Sequence, residues 1–165
     1  MKRIIFVRHG QAEEGAAGIS DFERSLTHKG KEVSRLMAMK LREKVKDPGV
    51  LITSPAFRAF ETAIIFAGIN GIPADKVILQ SKLYLNVDAR SLMEMVMLAG
   101  EDIDTVTFFG HNPTFTDLAN HFCNEPVESV PKSGIVSLTF DTKTWSGIRH
   151  DKGRSELFLT PKKTL

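Results

Sequence analysis

Short runs of consecutive apolar residues alternate along the chain with longer segments in which apolar positions recur every three or four residues. The first pattern is typical of strands buried on both faces of a parallel sheet, and the second is typical of helices that pack by one face. The predicted strands are Ile4–Val7, Val50–Thr53, Val77–Leu79, Leu83–Leu85, Thr105–Phe109, Ile135–Phe140 and Glu156–Leu159. Strands and helices therefore alternate along the chain, as they do in α/β folds.

Helical segments lie between these strands. The first spans Lys29–Lys46 after Thr27 as N-cap, and its apolar stripe comprises Val33, Leu36, Met37, Leu41 and Val45. The later helices begin at Ser54-Pro55 and reach about Ala67, run from the cap Asp88 through Leu98, and contain Leu118, Ala119 and Phe122. The segment Gln11–Arg24 has no such period and is predicted to be a loop over the strand ends. We expect a single α/β domain over residues 1–165, with three α/β/α layers and a mostly parallel central sheet.

Composition and charge narrow the classes of partner. Apolar residues make up 42% and charged residues 25% of the chain, and the formal net charge is +2. This balance argues against a nucleic-acid partner and against a membrane location, and we expect a cytoplasmic protein. The lone Cys123 is expected in the core, because it has no cysteine with which to pair. His28, His121 and His150 show no metal-ligand spacing, so a zinc hydrolase is not expected.

Arginines and histidines follow three of the predicted strands. Arg8, His9 and Gly10 end the first strand, Arg58 follows Ser54-Pro55 after the second, and His111 follows the strand Thr105–Phe109. The carboxyl ends of parallel strands meet at one edge of a sheet, where ligands of open α/β folds bind. We therefore expect these side chains to form one phosphate pocket.

This set of residues suits phosphoryl transfer. Arginines present planar forks of donors to phosphate oxygens, and a second histidine, when protonated, adds a charge-assisted hydrogen bond. A neutral His9 with one free ring nitrogen would attack phosphorus in line, while its other nitrogen donates to a backbone carbonyl. The arginines supply the charge stabilisation, so neither a metal nor another cofactor is expected.

Four ordered motifs resemble the histidine phosphatase superfamily, which has the phosphoglycerate mutase-like fold, and within it the small SixA-type phosphohistidine phosphatases. They are Val7-Arg8-His9-Gly10-Gln11-Ala12, Asp21-Phe22-Glu23-Arg24-Ser25-Leu26-Thr27-His28-Lys29-Gly30, Ser54-Pro55-Ala56-Phe57-Arg58-Ala59-Phe60-Glu61-Thr62-Ala63 and Gly110-His111-Asn112-Pro113. The second motif and the Gly-His-Asn-Pro form look characteristic of the SixA-like branch. The similarity extends over nearly the whole chain.

The resemblance implies specific roles. His9 is the nucleophile that passes through a phosphohistidine intermediate, and Arg8, Arg58 and His111 bind the phosphoryl group. Arg24, Asn112 and Gly10 are the further residues expected to bind substrate. Arg24 could instead be a surface ion-pair residue, and Asn112 a helix cap.

One departure from the family concerns the leaving group. Relatives that act on phosphate monoesters usually carry an acidic proton donor after the third strand, whereas Leu79–Asn86 contains no carboxylate. Cleavage of a P–N bond to histidine depends less on such an acid, because imidazole is the better leaving group. The sequence therefore favours a phosphoramidate substrate, although Asp21, Glu13 or Glu14 remain alternative acids.

The connections are short and leave few residues for a lid, which suits a phosphorylated side chain on another protein. The leading hypothesis is a metal-independent phosphatase that removes phosphate from phosphohistidine on a protein such as a histidine phosphocarrier or phosphorelay domain, with phosphate as product. The alternatives are a phosphomonoesterase or mutase for a small phosphate ester, and a non-catalytic phosphate-binding module. A mutase is disfavoured because it must close its pocket against water.

Overall fold

A central sheet flanked by helices is the main feature of the computed structural model, which describes residues 1–149 and 152–162. Within these residues the strands are β1 (Lys2–Arg8), β2 (Val50–Thr53), β3 (Ile78–Leu79), β4 (Thr105–Gly110), β5 (Ile135–Phe140) and β6 (Arg154–Leu159). The α-helices there are α1 (His28–Lys44), α2 (Phe57–Ile69), α3 (Ala89–Ala99) and α4 (Thr114–Phe122). His150 lies outside the described residues.

The sheet has the order β3-β2-β4-β1-β5-β6. Strands β3, β2, β4 and β1 pair in parallel, whereas β5 is antiparallel to both β1 and β6. The prediction of a mostly parallel sheet is therefore confirmed. The carboxyl ends of β1, β2 and β4 lie side by side, because β4 pairs with both β1 and β2.

Side chains alternate between the two faces of the sheet and form a core on each. Ile4 and Phe6 of β1 belong to the core under α3 and α4, whereas Ile5 and Val7 belong to the core under α1 and α2. This is the expected period of two for a strand buried on both faces. The three-layer arrangement follows, with two helices on each side of the sheet.

Two details of the predicted pattern are wrong. Leu83–Leu85 was expected to be extended, but Ser81–Tyr84 forms a 3-10 turn, which the Gln80 side chain caps by accepting from the Lys82 amide. Leu36 was expected on the buried stripe of α1, but it is 53% exposed. The buried face of α1 is rotated towards Ser34 and Ala38, which are both buried.

The predicted helix caps are confirmed at two helices. The Thr27 side chain accepts from the Gly30 amide at 2.9 Å, and the Asp88 side chain accepts from the Ser91 amide at 2.8 Å. Both bonds satisfy amides in the first turn that have no partner within the helix. Cys123 is buried, as expected.

None of the helices in residues 1–149 and 152–162 combines the length and the apolar character needed to cross a membrane.

Candidate active site

The ends of β1 and β4 bring the two predicted site histidines together. Arg8 is in register with Gly110, and the His9 amide donates to the Gly110 carbonyl at 3.0 Å. The next residue after Gly110 is His111, and the centroids of the His9 and His111 rings are 5.2 Å apart. Residues that are about 100 positions apart in sequence thus meet because the strands that carry them are neighbours.

His9 is held as a neutral ring with a defined tautomer. Its Nδ1 lies 2.7 Å from the carbonyl oxygen of Gly10, which can only accept, so Nδ1 carries the proton. Burial, opposed by this hydrogen bond and assisted by the nearby His111, Arg58 and Arg8, lowers the pKa of His9 to about 3. The ring therefore has one proton near pH 7, and Nε2 keeps its lone pair.

His111 is also neutral, which differs from the protonated partner expected from the sequence. Burial first, and then the positive charges of Arg58 and Arg8, lower its pKa to about 4 despite the opposing effect of Asp21. Its Nε2 lies 2.8 Å from the hydroxyl oxygen of Ser54, the residue that follows β2. The negative charge of a phosphoryl group would raise the pKa of His111 again.

Two buried nitrogen atoms in the site have no hydrogen-bond partner among the described residues, namely Arg8 Nε and His111 Nδ1. Arg8 donates from Nη1 to the Val130 carbonyl at 2.9 Å, which fixes one end of its guanidinium group. Burial lowers the pKa of Arg8. Buried polar atoms are nearly always paired in proteins, so these two nitrogens are candidates to bond a polar group in the pocket.

Arg58 lies on α2 and is tied to the predicted loop through Asp21. Its Nη1 donates to the Asp21 carbonyl at 2.7 Å and its Nη2 to Asp21 Oδ2 at 3.0 Å. Asp21 also accepts from Arg24 Nη1 at 3.0 Å and from the Tyr84 hydroxyl at 2.9 Å. Arg24 therefore reaches the site as the partner of Asp21, and its Nε donates to the Glu13 carbonyl at 2.7 Å.

Asp21 is a permanently charged member of this group. Partial desolvation alone would raise the pKa of Asp21, but the hydrogen bonds from Tyr84, Arg58 and Arg24 outweigh it and lower the pKa to about 2. The same bond raises the pKa of the Tyr84 hydroxyl. A carboxyl group with so low a pKa holds no proton to donate near pH 7.

Gly10 and Asn112 lie at the site but have their polar groups engaged within the protein. A Cβ atom on Gly10 would lie 2.6 Å from Ser34 Oγ, so only glycine fits there, and its amide donates to Thr62 Oγ1. The Asn112 amide nitrogen donates to the Val130 carbonyl at 2.9 Å, and its oxygen accepts from the Thr116 hydroxyl at 3.0 Å. Both residues shape the pocket through these contacts.

Sequence reasoning missed the partners that hold the main residues in place. Ser54 contacts His111, Tyr84 contacts Asp21, and Thr62 bridges the Gly10 amide and the Arg58 carbonyl. Thr62 could have been found, because it lies four residues after Arg58 on one face of a helix. Nothing in the sequence indicates Tyr84, since its contact with Asp21 spans two loops.

Among the described residues, no group of three or more His, Cys, Asp or Glu side chains is arranged to hold a metal ion. The donors that converge in the pocket are arginine and histidine nitrogens. Such donors bind an anion.

Comparisons with known proteins agree with this geometry. The model of the histidine phosphatase superfamily (branch 1) matches residues 4–79. A protein histidine phosphatase SixA solved with tungstate is 27% identical, with a TM-score of 0.79 over 96% of this chain and 97% of that one. A candidate phosphohistidine phosphatase SixA from Agrobacterium tumefaciens is 24% identical, with a TM-score of 0.75 over 97% of this chain and 98% of that one.

A mycobacterial glucosyl-3-phosphoglycerate phosphatase shares the fold at 12% identity, with a TM-score of 0.72 over 95% of this chain and 98% of that one. A search of curated proteins finds no match. The family model and the solved structures support a phosphatase, which is a hydrolase of phosphoryl groups. The model of the histidine phosphatase superfamily thus matches residues 4–79, and the chain shares the fold of the SixA structures over nearly its whole length.

Proposed function

We propose that the chain, as one histidine phosphatase domain, is a metal-independent phosphatase that removes the phosphoryl group from phosphohistidine on another protein. The observation that carries the proposal is the state of His9, which is buried and neutral with its proton fixed on Nδ1. A neutral imidazole with a free Nε2 is the form that can attack phosphorus at neutral pH.

The reaction has two steps. His9 Nε2 forms a bond to phosphorus while the P–N bond of the substrate breaks, so the phosphoryl group moves to His9. The substrate imidazole, protonated by solvent on its other ring nitrogen, leaves as a neutral base. A water molecule then attacks the phosphorus of phosphorylated His9, which releases inorganic phosphate and restores the neutral ring. Arg8, Arg58 and His111 bind the phosphoryl oxygens in both steps.

His111 supports this role through its contact with Ser54. Because the Ser54 hydroxyl can donate to His111 Nε2, the neutral His111 ring can hold its own proton on Nδ1. That Nδ1 is one of the two buried nitrogens without a partner among the described residues. It would donate to a phosphoryl oxygen, together with Arg8 Nε.

The nature of the leaving group favours phosphohistidine over a phosphate ester. An alkoxide needs an acid beside it, but Asp21, the acidic residue bonded directly to Arg58, has a pKa of about 2 and is ionised. The imidazole of phosphohistidine can take a proton from water on its second ring nitrogen and leave as a neutral base. It therefore departs without an acid from the protein.

Exposed apolar side chains close in sequence to the site residues favour a protein as the substrate. Phe57 and Leu85, the sequence neighbours of Arg58 and Tyr84, are 42% and 68% exposed, and Ile19 in the loop before Asp21 is 49% exposed. Exposed apolar side chains around a charged centre are typical of surfaces that contact another protein. A histidine phosphocarrier or phosphorelay domain would present its phosphohistidine to such a surface.

The proposal is tested by comparing the hydrolysis of a phosphohistidine protein, a phosphoserine peptide and a sugar phosphate, each with and without a chelator. We expect the largest kcat/KM for the phosphohistidine protein and no change on adding the chelator. A clear preference for the sugar phosphate would contradict the assignment of a protein substrate and favour the phosphomonoesterase. Loss of activity with the chelator would contradict the metal-independent mechanism.

A further inference from the structure

We propose that Asp21 and Tyr84 form a positioning pair for the phosphoryl clamp: Asp21 fixes the guanidinium group of Arg58, and Tyr84 fixes the carboxylate of Asp21. The inference rests on the proposed function, because it concerns how the same site binds a phosphoryl group. Neither residue needs to contact the substrate for this role.

Arg58 is held at two points by one residue. Its Nη1 and Nη2 donate to the carbonyl and the carboxylate of Asp21, which fixes the plane of the guanidinium group and not only its position. An arginine side chain that is free to rotate loses conformational entropy when it is immobilised on a ligand. Because Asp21 has already immobilised Arg58, the remaining N–H groups can bind phosphoryl oxygens without that cost.

Tyr84 acts on the carboxylate of Asp21. Its hydroxyl donates at 2.9 Å to Oδ2, the same oxygen that accepts from Arg58 Nη2. The Tyr84 ring packs edge to face on Phe22 at 5.3 Å and on His111 at 5.7 Å. Tyr84 thus joins the loop that carries Asp21 to the part of the site that carries His111.

The hydrogen bonds of Asp21 indicate that it positions Arg58 and does not merely compete with the phosphoryl group for this arginine. A carboxylate that only competed for Arg58 would swing away when an anion bound. Here the backbone carbonyl of Asp21 accepts from the same guanidinium group, and the carboxylate is also tied to Arg24 and Tyr84. Swinging the carboxylate aside would break its bonds to Arg58, Arg24 and Tyr84, so we expect it to stay in place when an anion binds.

The test measures binding of tungstate and inorganic phosphate to the wild-type protein, Asp21→Asn, Tyr84→Phe and the double variant by titration calorimetry. Tyr84→Phe removes only the hydroxyl and keeps the ring contacts. Glu43→Gln is the matched control, because Glu43 is exposed on α1 and its substitution removes one negative charge, like Asp21→Asn. Thermal unfolding of each variant shows whether it is folded.

We expect Asp21→Asn to weaken tungstate binding about tenfold and Tyr84→Phe about threefold, since each breaks hydrogen bonds to a charged group. Since Tyr84 acts through Asp21, the double variant should bind about as weakly as Asp21→Asn alone and not about thirtyfold more weakly than wild type. With a phosphohistidine protein, kcat should fall along with affinity in Asp21→Asn. Glu43→Gln should change neither quantity.

The outcomes separate the inference from the proposed function. A wild-type protein that binds neither oxyanion overturns both. If the wild type binds but folded Asp21→Asn binds equally well or more tightly, only the positioning role is overturned. Fully additive effects in the double variant would also overturn it, because Tyr84 would then act independently of Asp21.

Discussion

The candidate site has two halves that are built differently. The first half, Arg8, His9 and His111, lies at the ends of paired strands and is positioned by backbone register. The second half comprises Asp21, Arg24 and the guanidinium group of Arg58. It is positioned by side-chain hydrogen bonds that residues of the loop Gln11–Arg24 make. His9 is 8% exposed, whereas the side chain of Asp21 is 53% exposed.

This difference in exposure determines how each half obtains its charge state. In the strand half, burial is the main cause of the low pKa values of His9 and His111. In the loop half, hydrogen bonds from three neighbours lower the pKa of Asp21 against the effect of burial. Loop interactions of this kind are weakened by salt, whereas burial is not.

Replacing His9, the proposed nucleophile, tests the strand half most strongly. We expect His9→Ala to lose at least about 1,000-fold in kcat on a phosphohistidine protein, because a nucleophile cannot be replaced by binding energy. Steady-state kinetics check this. The control is His121→Ala on α4, a histidine outside the pocket, which should keep wild-type activity. A His9→Ala protein with full activity would remove His9 from the mechanism.

Arginine-to-lysine substitutions compare the two halves directly. Lysine keeps the charge but loses the planar fork, so Arg58→Lys should lower kcat/KM about 100-fold if Arg58 binds the phosphoryl group as proposed. Arg24→Lys should lower kcat/KM about threefold, because Arg24 only supports Asp21 from a partly exposed position. Steady-state kinetics at low and at high salt measure kcat/KM for both variants. Equal losses in the two variants would contradict the division into two halves.

Acid should destabilise the protein because His9, in the strand half, binds a proton more readily in the unfolded chain than in the folded protein. His9 has a pKa of about 3 in the folded protein, and histidine has a pKa of about 6.5 when unfolded, so the unfolded chain binds a proton first as the pH falls. Stability is therefore lost progressively below pH 6.5. Between pH 6.5 and pH 5 we expect wild type to lose about 2 kcal/mol more unfolding free energy than His9→Gln. Urea denaturation at both pH values measures the unfolding free energy of each protein. Equal losses in wild type and His9→Gln would contradict the prediction.

The loop half should respond to ligand more than the strand half. Gln11–Arg24 lacks a periodic apolar pattern, and its residues from Glu13 to Asp21 are exposed. We expect saturating phosphate to slow amide exchange about tenfold in this loop and to leave β1 and β4 nearly unchanged. Mass spectrometry of exchanged peptides checks the effect. Unchanged exchange in the loop would argue against a role for Arg24 and Asp21 in binding.

Most of the fold could be predicted because its signals are local. The apolar runs of β2 and β5 have the predicted bounds, and the caps Thr27 and Asp88 begin helices as expected. Leu83–Leu85 could not be predicted correctly, because a short apolar stretch fits a strand or a 3-10 turn equally well. The turn is selected by the burial of Leu83 and the cap from Gln80.

The candidate site was predictable where a residue follows a strand and not where it depends on a contact between loops. His9 and His111 meet because β1 pairs with β4, which the topology implies. The position of Asp21 against Arg58 and Tyr84 depends on how one loop folds over another, and no periodic pattern encodes this. Likewise, the neutral state of His111 follows from burial, which appears only in the folded protein.

The most direct test of the account is to trap the phosphorylated enzyme. Rapid quenching of the protein with a phosphohistidine substrate, followed by peptide mass spectrometry, should find acid-labile, alkali-stable phosphate on His9. The same experiment with His9→Ala should find no such phosphate at this position. Phosphate on another residue, or full turnover by His9→Ala without an intermediate, would contradict the central claim that His9 is the nucleophile.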